Sequence, residues 1–306
     1  MVVYRELSSL THDLGYSAKA LYSVSNQIGK HYHAVSIPKA SGGTRSLHVP
    51  DDQLKAIQKK IYDIILAPEP ISPYATAYRP GCSTKINAKL HVGRSVLVKL
   101  DILHFFDSII YPIVKERVFP AERYSDPNRI LLTILCTYHE AVPQGAPTSP
   151  AISNIIMREF DDTIGRWCDN RGIAYTRYCD DMTFSGDFDP APLIELVRSE
   201  LRKMGFLLND KKTVIIRGGR QKVVTGIVVN EKENVPAEYR RKIRKEVFYC
   251  KRFGIEAHMC HENIPGTKGQ YILKLLGKVN YVLSVSPNEP EYGGYRDWLL
   301  REKKHA

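Results

Sequence analysis

The sequence predicts an α+β fold built around a split βαββαβ unit. Three observations predict it: an apolar strand-like run that ends in Asp101, two short strand-like runs flanking the acidic pair Asp180-Asp181, and two stretches of helical periodicity interleaved with them. Their order along the chain carries more information than any one of them.

The first strand is residues 95–100, mostly apolar and closing on Asp101. Ser149-Pro150 then supplies an N-cap and a proline at the first helical position, and Ile152, Ile155, Ile156, Phe160, Ile164 and Trp167 recur at helical spacing. The hairpin comes next: residues 173–178 and 182–185 are rich in aromatic and β-branched types, with Cys179, Asp180 and Asp181 at the tip. Asp189-Pro190 starts a second helix with Ile194, Val197, Leu201 and Met204 on one face and Gly205 as its stop. Residues 213–216 close the series as a last strand.

In this arrangement the first strand and the hairpin lie side by side, so Asp101 meets Asp180 and Asp181 at one sheet edge. Neighbouring carboxylates repel, and holding them together is useful where a divalent cation neutralises them. An Asp-Asp pair alone also reads as a solvated turn, and an acid at a strand tip as the point where the chain leaves the core. Three carboxylates brought together suit two-metal phosphoryl transfer, the chemistry of a nucleotidyltransferase.

Before this unit, residues 37–45 read as a hairpin around Gly42-Gly43, flanked by Lys39 and Arg45. The helix after Pro50, with Leu54, Ile57, Ile61 and Ile64 at helical intervals, reads as scaffold. Past residue 235 a helix carries Arg240, Arg241, Lys242, Arg244 and Lys245 on one side and Ile243, Val247 and Cys250 on another. A one-sided basic helix grips phosphates, lies on an acidic membrane or faces water; behind a phosphoryl-transfer unit, phosphate grip is favoured.

The 306 residues, 43% hydrophobic, suffice for two average domains with a sizeable core, and a net charge of +11 points toward a polyanionic partner. No apolar run reaches the roughly 18 residues of a membrane helix. Six cysteines without paired spacing, and no signal peptide, lead us to expect a cytoplasmic protein with reduced thiols. The spacing of Cys250, His258, Cys260 and His261 fits no familiar zinc finger.

At the motif level the chain resembles the reverse transcriptases. The strand-end Asp101 with Phe105-Phe106, the segment 142–150, the box Tyr178 to Asp181 and the segment 205–213 are similar to four successive polymerase motifs in that family's order. Within it the chain is most similar to bacterial retron enzymes: Asn87, Ala88 and His91 fit their Asn-Ala-x-x-His element, and Val224-Thr225-Gly226 their Val-Thr-Gly triplet. Cys179, where alanine is frequent in those enzymes, and Asp107, where proline is common, depart from the pattern without removing a carboxylate.

The resemblance implies a right-hand polymerase with fingers at 1–94, to which 110–148 contribute, a βαββαβ palm at 95–234 and a small helical, RNA-binding thumb at 235–306. It implies an RNA-directed DNA polymerase with two Mg²⁺ ions held by Asp101, Asp180 and Asp181, with the Ile102 carbonyl as a further ligand. Lys39 and Arg45 would bind the triphosphate of an incoming dNTP. Phe106 would exclude a 2′-hydroxyl with Phe105 packed beneath it, Gln144 and Gly145 would line the nucleotide pocket, and Lys212 would act as general acid. Contacts to a cognate structured non-coding RNA would come from Asn87, His91, Val224, Thr225, Gly226, Arg240, Arg241, Arg244 and Lys245. Such enzymes prime from a guanosine 2′-hydroxyl, leave branched msDNA, and often act in anti-phage defence with a separately encoded effector protein. About 80 residues follow Gly226, room for a thumb but not for the splicing and nuclease domains of group II intron proteins. Another bacterial reverse transcriptase, of diversity-generating or unassigned defence type, and a non-catalytic RNA-binding scaffold are the alternatives.

Overall fold

The structure, a computed structural model, describes residues 3–38 and 42–304. The chain packs as two compact units, each assembled from two stretches: Met1–Cys82 with Val98–Ile215, and Ser83–Leu97 with Ile216–Ala306. Residues 83–97 thus pack with the C-terminal stretch.

The chain opens with helices α1 (Leu7–Leu14) and α2 (Ala18–Asn26), the hairpin of β1 (Tyr32–Pro38) and β2 (Thr44–Pro50), and α3 (Asp52–Ile61). Then come α4 (Thr84–Lys89), β3 (Val96–Asp101) and the helices α5 (Phe105–Ser108), α6 (Tyr111–Arg117), α7 (Asp126–Cys136) and α8 (Ser149–Asp169). The hairpin β4 (Ala174–Tyr178) and β5 (Asp181–Gly186) leads to α9 (Pro190–Lys203), β6 (Val214–Arg217), and the short strands β7 (Val223–Val224) and β8 (Ile227–Val228). Four helices finish the chain: α10 (Ala237–Phe253), α11 (Ile255–His261), α12 (Lys268–Val285) and α13 (Pro290–Lys304).

One four-stranded sheet, in the order β4-β5-β3-β6, carries the acidic residues. Taken with α8 and α9 it is the βαββαβ arrangement, and β5 lies beside β3. The helix α8 buries Ile152, Ile156, Phe160 and Ile164, which keeps one side of the sheet dry. Its start differs by one residue from the sequence reading. Thr148 is the N-cap, and Ser149, inside the first turn, donates its hydroxyl to the Pro143 carbonyl at 2.7 Å. In α9 the buried positions are Leu193, Val197 and Leu201, so Leu193 takes the place expected of Ile194. The helix α3 is capped by Asp51, which accepts from the Leu54 amide at 2.9 Å. It runs on into a π-helical turn at Tyr62–Leu66, whose extra residue moves the buried position from Ile64 to Ile65.

The β1-β2 hairpin pairs antiparallel from Tyr32↔Pro50 to Pro38↔Thr44, with Gly42 and Gly43 at φ 89° and 78° entering β2. Lys39, expected to touch triphosphate, lies outside the described residues.

The second unit has its own core, where Ala88 and Leu97 join Val224, Ile227, Ile243, Val247, Leu275 and Val279. Among the described residues no helix is long and apolar enough to cross a membrane.

Candidate active site

A two-residue turn holds the acidic pair. Tyr178 pairs with Asp181 across the β4-β5 hairpin, leaving Cys179 and Asp180 as the loop. Cys179 has φ 62°, a left-handed conformation that a two-residue hairpin demands but that glycine usually fills. What fixes the turn is a buried cation that the sequence did not reveal. Arg177, fully buried, donates to the equally buried Asp161 of α8 at 2.8 and 2.6 Å, to Asn154 Oδ1 at 3.1 Å and to the Cys179 carbonyl at 2.9 Å. Tyr175 adds its hydroxyl to Asp161 at 2.8 Å. Residues 74–78 run along the outer side of β4, bridged at Ala75↔Arg177, and bring the Tyr78 hydroxyl to 3.7 Å from the Cys179 sulfur.

Asp101 ends β3, and the turn is tied to it by the Ile102 amide, which donates to the Asp180 carbonyl at 3.3 Å. On the other side, residues 207–209 lie against the exit of β3: the Leu103 amide donates to Leu207 and the Asn209 amide to Asp101, both at 2.8 Å. The Asp101 carboxylate, in a residue only 4% exposed, accepts from Asn209 Nδ2 at 2.9 Å and from Lys212 Nζ at 2.8 Å. That bond to Asp101 raises the Lys212 pKa, so the ammonium keeps its proton. Asp181 is shifted upward, first by burial and further by the Asp180 and Asp101 carboxylates, against the opposing pull of Lys99 and Lys212.

These groups face one open cavity of about 740 Å³, lined by Arg45, Asp101, Ile102, Phe105, Phe106, Gln144, Asp180, Asp181 and Lys212, with Tyr78 and Asn209 at its sides. Phe105 is buried against Phe206 at 6.0 Å, and Phe106 is half-buried beside it at 5.3 Å. Gly145, expected in the lining, is not part of it. It has φ 123°, and a Cβ there would stand 2.9 Å from the His48 carbonyl. With the His48 amide donating to the Gln144 carbonyl at 2.8 Å, Gly145 lets the loop dock against β2 and so positions Gln144.

The residues expected to touch RNA divide into two groups. Thr225 and Gly226 both have positive φ, 45° and 82°, and form the turn of the β7-β8 hairpin. Thr225 donates to the Thr84 carbonyl at 2.9 Å and accepts from Asn87 Nδ2 at 3.3 Å. Asn87, His91 and Val224 have no exposed surface. Asn87 joins α4 to the hairpin through its bond to Thr225, and Val224 packs with Ala88 in the same core. On α10, Arg240 is held at 2.7 Å by Glu289, just before α13, and Arg244 at 2.8 Å by Glu291 of α13, whereas Arg241 and Lys245 are exposed.

Residues 37–249 match the family described as Reverse transcriptase (RNA-dependent DNA polymerase). The retron Ec83 reverse transcriptase of Escherichia coli is 34% identical over 237 residues, 72% of this chain and 76% of that protein. This chain belongs to the bacterial retron reverse transcriptase family. The retron Mx65 reverse transcriptase of Myxococcus xanthus is 34% identical over 285 residues, 86% of this chain, yet the match spans only 63% of that relative's length. A solved telomerase from Candida Tropicalis, truncated from its C-terminal domain, superposes on 67% of this chain and 55% of that chain with TM-score 0.46 and 16% identity.

Reverse transcriptases depend on a divalent metal, and the donors of this retron-type site fit one in kind. They are carboxylate oxygens, hard ligands, and their mutual repulsion at Asp181 is what a bound cation relieves. Their arrangement is not yet a cage. Among the described residues no group of three or more His, Cys, Asp or Glu side chains is gathered tightly enough to hold a metal ion. The Lys212 ammonium, 2.8 Å from Asp101, supplies a neutralising charge at that carboxylate.

Proposed function

We propose that the chain is an RNA-directed DNA polymerase of the retron type. The observation that carries this is the convergence of Asp101, Asp180, Asp181, Phe106, Gln144, Arg45 and Lys212 on one cavity. Two Mg²⁺ ions held by Asp101, Asp180, Asp181 and the Ile102 carbonyl supply, when bound, activation of the attacking hydroxyl and charge neutralisation of the leaving pyrophosphate. Arg45 holds triphosphate oxygens in a bidentate fork, and Lys39 contributes a second positive charge to the same group. Phe106 blocks a 2′-hydroxyl by bulk, and Phe105 holds it in place from beneath. Gln144 orients the incoming dNTP through the loop that Gly145 docks. Lys212, kept protonated by Asp101, releases its proton to the pyrophosphate as that bond is exchanged.

In this reading residues 1–94 with 110–148 act as fingers, 95–234 as palm and 235–306 as thumb. The substrate is a cognate structured non-coding RNA, primed from a guanosine 2′-hydroxyl and converted to branched msDNA, in the cytoplasm and in the service of anti-phage defence through a separate effector protein. Family likeness and the +11 charge support this assignment. Primer extension on an RNA template decides the chemistry. Asp180→Asn and Asp181→Asn are expected to lower DNA synthesis at least about a hundredfold, in line with loss of a charged catalytic group; synthesis equal to wild type would assign the site wrongly. Sequencing of copurifying nucleic acid is expected to return one reverse-transcribed product, and random cellular RNA alone would remove the retron substrate.

A further inference from the structure

Helix α10 carries two basic stripes with different fates. Arg240 and Arg244 turn toward the start of α13, where Glu289, just before the helix, and Glu291 hold them and both guanidinium groups lie within 6 Å of the Tyr292 ring. Lys242, Lys245 and Tyr249 lie on another stripe and open into two adjoining cavities, of about 280 and 560 Å³, lined by α10, α11 and α12. The second lies in the size range of small-ligand sites.

The cavities share Lys245, Tyr249, His258 and Glu262. Their wall is a run of near-parallel rings: Tyr249 and His258 are 6.0 Å apart at 9°, and Tyr249 and Phe253 are 6.1 Å apart at 20°. Phe253 is 59% exposed, far more than a core aromatic of this protein. Around the rings stand four lysines, 242, 245, 274 and 278, against two glutamates. Glu246 is already bound by Lys278 at 2.6 Å and by the Tyr271 hydroxyl at 3.2 Å. Lys242 reaches Glu238 at 2.9 Å on the exposed face, and Glu262 lies 3.3 Å from His261. Lys245, whose Nζ stands 5.8 Å from the Tyr249 ring centroid, and Lys274, which lines the same cavity, have no carboxylate among the described ion pairs.

Flat rings beside ammonium groups match a ligand that is flat and apolar at one end and anionic at the other. A base in a duplex has both faces covered by its neighbours, so only an unpaired base can use such a platform. We propose that this trough binds an unpaired nucleotide of a single-stranded RNA segment, its base stacked on Tyr249 and its phosphates held by Lys245 and Lys274. The inference rests on the RNA-directed reading above and extends it: the RNA partner is gripped at an exposed single-stranded position as well as copied.

The test uses the full chain and a fluorescein-labelled 12-nucleotide unpaired RNA at fixed salt, with a duplex RNA of the same length, the matching single-stranded DNA and free nucleotide as competitors. Tyr249→Ala is expected to weaken single-strand RNA binding about tenfold or more, Tyr249→Phe to stay within about twofold of wild type, and duplex binding to change less than about twofold. The double variant Lys245→Ala, Lys274→Ala is expected to reduce the slope of log affinity against log salt by about 1.4. Equal binding by Tyr249→Ala and wild type, equal loss for duplex and single strand, failure of Tyr249→Phe to restore affinity, or equally tight DNA or free nucleotide would each overturn the proposal. Primer extension with the same wild-type preparation separates the two readings. DNA synthesis with a binding-neutral Tyr249→Ala sinks only the trough, whereas no synthesis at all sinks the polymerase reading.

Discussion

Arg177 is the residue on which the acidic turn depends. It is fully buried together with Asp161, and their pair is completed by Tyr175, Asn154 and the Cys179 carbonyl. A non-glycine residue in the left-handed region costs roughly 1–3 kcal/mol, so Cys179 holds its φ of 62° only because its surroundings over-determine it. Burial also pushes the Cys179 thiol up to about 12, which keeps it protonated and inert beside the acids. Removing one partner of a buried pair strands the other charge. Asp161→Asn is therefore expected to lower stability by about 3–5 kcal/mol in urea melts and to reduce DNA synthesis, although it touches no substrate. Arg177→Lys should not restore either, since an ammonium cannot hold three partners in one plane. The carboxylates Asp101, Asp180 and Asp181 were legible in the sequence because charged residues interrupt apolar runs there. The Arg177–Asp161 pair was not, for although Asp161 sits on the apolar stripe of α8, nothing in one sequence says which buried charges find each other.

At the level of elements, α4 and the β7-β8 hairpin behave as one piece. The Val-Thr-Gly triplet needs positive φ twice, and its threonine spends its hydroxyl on α4. Both motifs could be read from the sequence, but their partnership could not, because it joins residues 138 positions apart. The π-helical turn after α3 was hidden for a related reason: one inserted residue leaves the apolar composition unchanged while rotating the side chains beyond it. His91, packed at the end of α4, gives this assembly a pH signature. Burial, reinforced by nearby Arg94, lowers its pKa from 6.5 to about 4. Between those values the unfolded chain binds the proton and the folded chain does not, so stability is fully present above about pH 6.5 and drains away as pH falls toward 4. The loss amounts to on the order of 3 kcal/mol. Urea melts at pH 7 and pH 4.5 should show that difference in wild type and a smaller one in His91→Gln.

For the whole molecule, the division of the chain is the feature least visible in the sequence. Composition and charge place a basic α+β protein of this length, and the βαββαβ order could be read from periodicity. That residues 83–97 belong with residues 216–306 could not, since the link is made by side chains such as Ala88 and Leu97 joining a core from afar. A fragment of residues 216–306 alone is expected to lack a cooperative thermal transition, and adding residues 83–97 as a separate peptide should restore helical circular dichroism and a melting step. A fragment that melts cooperatively without the peptide would show that the second unit is complete without it.

This discontinuity bears on how the protein is made. As the chain leaves the ribosome, the segment around Ala88 and Leu97 emerges long before the C-terminal helices that will cover it exist. At elongation rates of about 5–20 residues per second, that wait lasts on the order of ten seconds. Throughout it Ala88 and Leu97 lack the core they will join, and synthesis of the C-terminal helices sets the earliest moment at which that core can close.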